Sequence, residues 1–399
     1  MSKKKMGLAV KVLIGLAIGF VIGLIVHNMP KGSLRDDILI DGVFQLVGQL
    51  FLRGIMMCVV PLVFVSLVNG AAGMGDVKKL GKVGVKTIVF YLATTAIAII
   101  IGLVMAFIIR PGIGLDMGAI ETVEVSASEG KPIVQVLYEM VPRNPVQALA
   151  EGNMLQIIVF AIMTGIALTM LGEKGKGVLK LFEELNELAM RLVGLVMNLA
   201  PLGVLCLVAR TFGQVGISAA IPVLKSVVAV YIALAIHLVV VYGGMLKVLS
   251  GLSPFRFIKK IFPAMAIAFS TASSSATLPV TMDLTINKIG ASKDISSFSL
   301  PLGATINMDG TAIYQGVSAV FIAQAFGIQM TPSMALMIVF SATLASIGTA
   351  GVPGAGAIML SMVLQTVGLP LEGLGLILGI DRLFDMGRTA MNITGDAVC

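Results

Sequence analysis

The chain has 399 residues, of which 57% are hydrophobic and only 12% charged, and its mean hydropathy is +1.01. Soluble globular domains carry about 25% charged residues, so this composition points to an integral membrane protein. The net charge of +7 then reflects basic segments that set topology rather than an affinity for nucleic acid.

A basic start, MSKKK, precedes an apolar run over 6–26 with no small-residue cleavage site after it, which predicts a retained first membrane helix. A polar segment of mixed charge follows over 28–41. Further apolar runs cover 42–68, 87–109, 154–171, 188–208 and 222–249. Pro145 and Gly152 predict that the fourth run is entered in pieces, and Pro201 predicts a kink in the fifth. The segment 110–147 is polar and reads as a long loop. The positive-inside rule, applied to Lys3–Lys5, Lys78–Lys79, Lys174–Lys180 and Arg256–Lys260, puts the N-terminus in the cytoplasm and gives six alternating crossings. Cys58, Cys206 and Cys399 lack metal-like spacing and read as inert. His27 and His237 stand alone in their neighbourhoods and read as satisfied or interfacial side chains.

Beyond residue 250 the simple count fails. The stretch 262–282 has TASSSATLP at its middle and basic residues on both flanks. It reads as a hairpin that enters and leaves from inside, with Ser273–Ser275 at its tip. The next run, 298–326, contains NMDGT at Asn307–Thr311. The run 334–367 is interrupted by SIGTAGVPGAG, 346–356, whose glycines and Pro353 forbid an ordinary helix. That is a second hairpin, entering from outside. The last helix carries Asp381, Asp385, Arg388, Asn392 and Asp396, spaced 4, 3, 4 and 4 apart. At about 100° per residue these fall within an arc of roughly 80°. Each ionised group facing lipid at mid-bilayer costs about 2.5–3.5 kcal/mol on insertion scales, so the stripe must face protein, water or a ligand. Hairpin followed by polar helix occurs twice with opposite orientation, which is the inverted repeat with broken helices expected of a secondary transporter. The fold class is therefore all-α and membrane-embedded, with eight transmembrane helices and two oppositely oriented re-entrant hairpins. No nucleophile and base stand together, which argues against an enzyme.

The motifs SSSATLPVT (273–281), NMDGTA (307–312), SIGTAGVPG (346–354) and DMGRTAMNITGD (385–396), with YLATT (91–95), resemble the dicarboxylate/amino acid–cation symporter family, the sodium-coupled glutamate and aspartate transporters. The similarity is greatest to the prokaryotic sodium–aspartate branch. The resemblance implies an elevator-type homotrimer in the cell membrane, in contact with lipid, with both termini cytoplasmic. Residues 1–82 and 111–214 then form a scaffold. Residues 83–110 and 215–399 form a moving transport domain, with hairpins over about 253–285 and 331–368.

The same resemblance implies the site. Arg388 takes the substrate side-chain carboxylate, Asp385 the ammonium, and Thr389 and Asn392 the backbone carboxylate region. Ala272, Ser273, Ser274, Thr311, Val352 and Gly356 complete the pocket. Sodium ions are co-transported. Gly303, Asn307, Asn392 and Asp396 resemble one sodium site; Thr305, Met308, Ser346, Ile347 and Thr349 a second; Tyr91, Thr94, Thr95, Asn307 and Asp309 a third. An unpaired buried carboxylate such as Asp309 or Asp396 favours protonation, and a bound cation is a direct remedy. Two positions depart from the family. Ala272 stands where archaeal relatives often have Arg, while Arg382 offers a guanidinium from the last helix. Gln315 stands where animal relatives have a Glu thought to carry a proton, so no obligatory proton countertransport is expected. A neutral amino acid or C4-dicarboxylate carrier on the same fold is the competing reading.

Overall fold

The structure is a computed structural model, and it describes residues 8–73, 82–115, 138–347 and 354–399. Those residues are helical throughout their regular segments. The first helix, α1, spans Leu8–His27 and presents Val10, Ile14, Ile18, Val21 and Ile25 outward. This apolar outer face is what a lipid-facing helix requires. The polar stretch after it is not a plain connector: a π-helical run, Leu34–Phe44, leads without a break into α2, Gln45–Gly73. Its polar residues hid it, although Ile40 and Phe44 are buried on one side.

Helix α3 spans Lys82–Ile109. The fourth run is entered in two pieces, as Pro145 and Gly152 predict. Asn144 caps α4, Pro145–Glu151, by accepting from the Val146 and Gln147 amides at 3.0 and 3.3 Å. Gly152 ends it in the left-handed region at φ 68°, which glycine adopts at little cost. Helix α5 then covers Met154–Leu171. The fifth run corrects the expectation of one kinked helix over 188–208. Helix α6, Lys176–Met197, stops, and α7, Ala200–Val215, begins afresh. Pro201 lies in the first turn of α7, where its missing N–H is no loss, instead of kinking a helix interior.

Helix α8, Ala220–Ile236, runs on through a π-helical stretch, His237–Tyr242, to Ser250. Then α9, Pro254–Thr271, and α10, Ser274–Asp283, pack on each other around a two-residue turn. Helix α11, Lys293–Ile306, breaks at Asn307 and Met308 before α12, Asp309–Ala325. Helix α13, Pro332–Ser346, and α14, Ala355–Thr366, flank 348–353, so most of SIGTAGVPG lies outside the described residues. Helix α15, Leu374–Val398, closes the fold. It packs against α9, α11 and α12, while α12 packs against α3.

Helix α1 lies along α7 over much of its length. Gly15, Gly19 and Gly23, four residues apart, line that contact. A Cβ at any of them would run into the backbone of Pro201, Leu205 or Ala209. Small residues at this spacing let two membrane helices approach closely. Gly19→Val is therefore expected to destabilise the detergent-solubilised protein by on the order of 1–3 kcal/mol, the usual range for overpacking. Gly177→Val, at a position open on α6, serves as control. Equal thermal unfolding midpoints for the two variants would contradict this packing role.

Candidate functional site

The last helix turns its polar stripe inward. Asp381, Asp385, Arg388, Asn392 and Asp396 are all buried. On the other faces Leu383 is exposed, whereas Ala390 and Ile393 join a second apolar cluster with Phe257, Ile261, Ala264 and Leu284. Burial on so many sides requires the charges to find partners within the chain.

Arg388 is answered twice. Its Nη1 and Nη2 donate to the Asp381 carboxylate at 2.9 and 3.4 Å, and its Nε donates to Asp385 Oδ1 at 2.9 Å. The Tyr314 ring lies beneath the guanidinium, 4.6 Å from Cζ to centroid, and Phe384 tilts against that ring. Gly356, at the start of α14, presses on the same group. A Cβ there would sit 2.5 Å from Arg388 Cζ. Asp385 also accepts from Thr389 Oγ1 at 3.5 Å and from the Gly354 amide at 3.2 Å. The Arg388–Asp385 ion pair thus exists, and it is joined by Asp381, a stripe residue to which the sequence reading gives no role. Nothing in the sequence pattern points to Tyr314.

Arg382 reaches both the end of α9, two residues before Ala272, and Asp385. Its Nη2 donates to the Ser270 carbonyl at 3.1 Å, and its Nη1 lies 3.9 Å from Asp385 Oδ2. Ala272 itself is buried in the left-handed region at φ 51° and ends α9. Ser273 caps α10 by accepting from the Ala276 amide, and Ser274 is buried behind it. A cavity of about 710 Å³ opens beside these groups. Arg191, Asn198, Thr271, Asp381, Arg382 and Asp385 supply its polar lining. Thr311 accepts from Asn392 Nδ2 at 3.4 Å, and Asn392 Oδ1 accepts from the Gly310 amide at 2.8 Å. Val352 lies outside the described residues.

The expected ion ligands divide into three outcomes. In the first set, Asn307 Nδ2 donates to the Asn392 carbonyl and to Asp396 Oδ1, both at 2.9 Å, and the Asn307 amide donates to the Gly303 carbonyl at 2.8 Å. Asn307 Oδ1 is buried with no partner among the described residues. A Cβ at Gly303 would sit 2.5 Å from Asp396 Oδ1 and 2.7 Å from the Tyr91 hydroxyl. A buried acceptor without a donor, beside a carboxylate that approaches the Gly303 backbone too closely for any side chain, fits a hard cation.

In the second set, Thr305 is exposed and its hydroxyl turns back to the Leu302 carbonyl. Met308 Sδ faces Thr311 and Asn392. Ser346 Oγ donates to the Thr343 carbonyl and the Ile347 amide to the Leu344 carbonyl. No hydrogen bond among the described residues joins the two halves, and Thr349 lies outside them.

The third set corrects the picture of Asp309 as an unpaired carboxylate. Its Oδ1 accepts from Thr95 Oγ1 at 2.6 Å, and its Oδ2 from the Tyr242 hydroxyl at 2.7 Å and His237 Nε2 at 3.0 Å. Tyr91 donates to the Ser299 carbonyl and Thr94 to the Tyr91 carbonyl. His237 is therefore satisfied at Nε2 alone; its Nδ1 is buried with no partner among the described residues. The partner at Nε2 is a residue of the expected ion set.

The model of the Sodium:dicarboxylate symporter family matches residues 8–399. The chain is 39% identical over 402 residues to the proton/sodium-glutamate symport protein of Bacillus caldotenax, covering 99% of this chain and 93% of that protein. It is 35% identical over 408 residues to the proton/glutamate-aspartate symporter of Escherichia coli (strain K12), covering 100% and 92%. It is 34% identical over 397 residues to a C4-dicarboxylate transport protein of Bacillus subtilis (strain 168), covering 98% and 91%. These relatives are transporters and not enzymes, and sodium co-transport follows from the match. The chain belongs to the Sodium:dicarboxylate symporter family.

Proposed function

We propose that this protein imports an acidic amino acid, aspartate and/or glutamate, together with sodium ions, across the cell membrane. The observation that carries the reading is Arg388. It is a fully enclosed guanidinium, held by two carboxylates of its own helix, and both carboxylates line a cavity large enough for a small solute. A planar fork of donors matches a carboxylate. The substrate side-chain carboxylate takes over the place of Asp381 at Arg388. Asp385, released from part of its pairing, receives the ammonium. Thr389, Asn392 and Thr311 hold the remaining carboxylate, with Ala272, Ser273 and Ser274 on one side and Val352 and Gly356 on the other.

Sodium binds first at Gly303, Asn307, Asn392 and Asp396. Thr305, Met308, Ser346, Ile347 and Thr349 form a second site as the segment between α13 and α14 closes. Tyr91, Thr94, Thr95, Asn307 and Asp309 form the third. The chain crosses the membrane eight times, with termini in the cytoplasm and α9–α10 and α13–α14 as re-entrant hairpins. Residues 83–110 and 215–399 slide as an elevator against the scaffold of 1–82 and 111–214, within a homotrimer. Gln315 carries no proton, so uptake is not tied to proton countertransport.

A C4-dicarboxylate substrate is favoured by one observation. Asp385 already accepts from Arg388, Thr389 and Gly354, so it does not depend on an ammonium. Competition decides between the two. In proteoliposomes with an inward sodium gradient, labelled aspartate accumulates and is displaced by aspartate or glutamate before succinate. Accumulation that persists without sodium rejects coupling, and displacement by succinate first selects the dicarboxylate reading.

Arg388→Cys weakens aspartate binding by at least about 100-fold, the loss expected when one partner of a buried charge pair is removed. Retained tight binding in calorimetry removes Arg388 from its role. Gly303→Ala pushes the Asp396 carboxylate and the Tyr91 hydroxyl out of place and raises the sodium concentration needed for half-maximal uptake. An unchanged sodium dependence in the purified variant contradicts the first ion site.

A further inference from the structure

The cage around Asp309 supports an assignment of its own. Thr95, His237, Tyr242 and Asp309 are all enclosed. A carboxylate can only accept, so the His237 nitrogen that faces it, Nε2, carries the hydrogen. The other ring nitrogen, Nδ1, has no hydrogen-bond partner among the described residues. The Tyr242 ring packs edge-on to the imidazole, with centroids 4.6 Å apart. Both side chains come from the π-helical stretch of α8. In a regular α-helix, residues five apart point about 140° away from each other. The i→i+5 turn draws them towards one side, and here both reach the same carboxylate oxygen. A π-helical insertion that serves two donors on one buried acid is the kind of local irregularity found at functional sites.

A carboxylate has about four lone-pair positions, and three donors already address Asp309. A sodium ion that takes Asp309 as a ligand must displace or share those donors. When the ion leaves, the donors are at hand to satisfy the acid. We propose that His237, together with Tyr242, is a positioning residue for the return of the empty carrier: its N–H stands in for the departed cation at Asp309, so that the unloaded transport domain crosses without a bare buried acid. The arrangement works with the Nε2–H tautomer and asks for no change of protonation. The inference rests on the transport reading above.

Net uptake needs the empty return in every cycle, whereas exchange of internal for external substrate does not. The two assays therefore separate this role from substrate binding. The full chain and the variants His237→Ala, His237→Gln and Tyr242→Phe are reconstituted in proteoliposomes. One assay follows net sodium-driven aspartate accumulation into empty vesicles. The other follows exchange of labelled for internal unlabelled aspartate at equal sodium on both sides. His237→Ala lowers net uptake at least about tenfold, as loss of a hydrogen bond to a charged group implies, and leaves exchange within about twofold. His237→Gln, whose amide donates to the carboxylate, retains both activities, and Tyr242→Phe lowers net uptake selectively but less. Equal loss in both assays, or unchanged net uptake, overturns the inference. If His237→Ala does not elute as folded protein, Tyr242→Phe decides, and an unchanged ratio of net uptake to exchange overturns it. Absence of both activities in the unmodified chain rejects the transport reading itself, and this inference with it.

Discussion

A guanidinium enclosed on every side must be answered by acids of the same chain, and the rest of this structure follows from how Arg388 is answered. Water cannot reach it, and leaving it unpaired is strongly unfavourable. Asp381 and Asp385, two turns and one turn earlier on the same helix, supply that answer. With Arg382 beside them, the cluster holds two acids and two guanidinium groups, so its formal charge is balanced without a ligand. On the proposed reading, an anionic substrate enters by exchanging with an internal acid and does not fill an empty charge. That arrangement favours selectivity over raw affinity, because an incoming group must match both the fork of Arg388 and the space that Asp381 leaves.

The glycines follow the same logic at the level of the backbone. Gly356 brings α14 against Arg388, Gly310 brings α12 against the Arg388 backbone, and Gly303 lets the Asp396 carboxylate approach its backbone. Each stands where a helix begins or ends near a polar group. Close backbone approach of this kind lets broken helices deliver amides and carbonyls to a buried site. The tight α1–α7 contact uses glycine differently, to lock two continuous helices together.

Much of this arrangement was legible in the sequence because it follows regular periods. The inward stripe of α15 obeys the α-helical repeat, and its five members are all buried. The breaks at Asn307 and around Ser273 follow from small polar residues that cap or end helices. What stayed hidden departs from those periods or depends on contacts distant in the chain. His237 and Tyr242 converge only because α8 is locally π-helical. The role of Asp381 rests on which of two acids takes the outer nitrogens of Arg388, and spacing does not distinguish them. Tyr314 lies 74 positions before Arg388 and is brought beneath it only by the packing of α12 on α15. The start of the second helical stretch was concealed because acidic residues occupy its outer face.

The two deepest acids of the ion region differ in a way that bears on coupling. Asp309 stands among donors: a hydroxyl, a phenol and an imidazole N–H. Asp396 has one donor among the described residues, the Asn307 side-chain amide, whose own Oδ1 is buried without a partner. A hard cation gains most where oxygens outnumber hydrogens, since it replaces donors that are missing. Where donors already surround an acid, a cation gains only by displacing them. On the proposed reading, the Asp396 side is therefore where sodium is needed for the loaded state to hold together. On the same reading, the Asp309 side is where the empty carrier can do without it, because its donors are already in place.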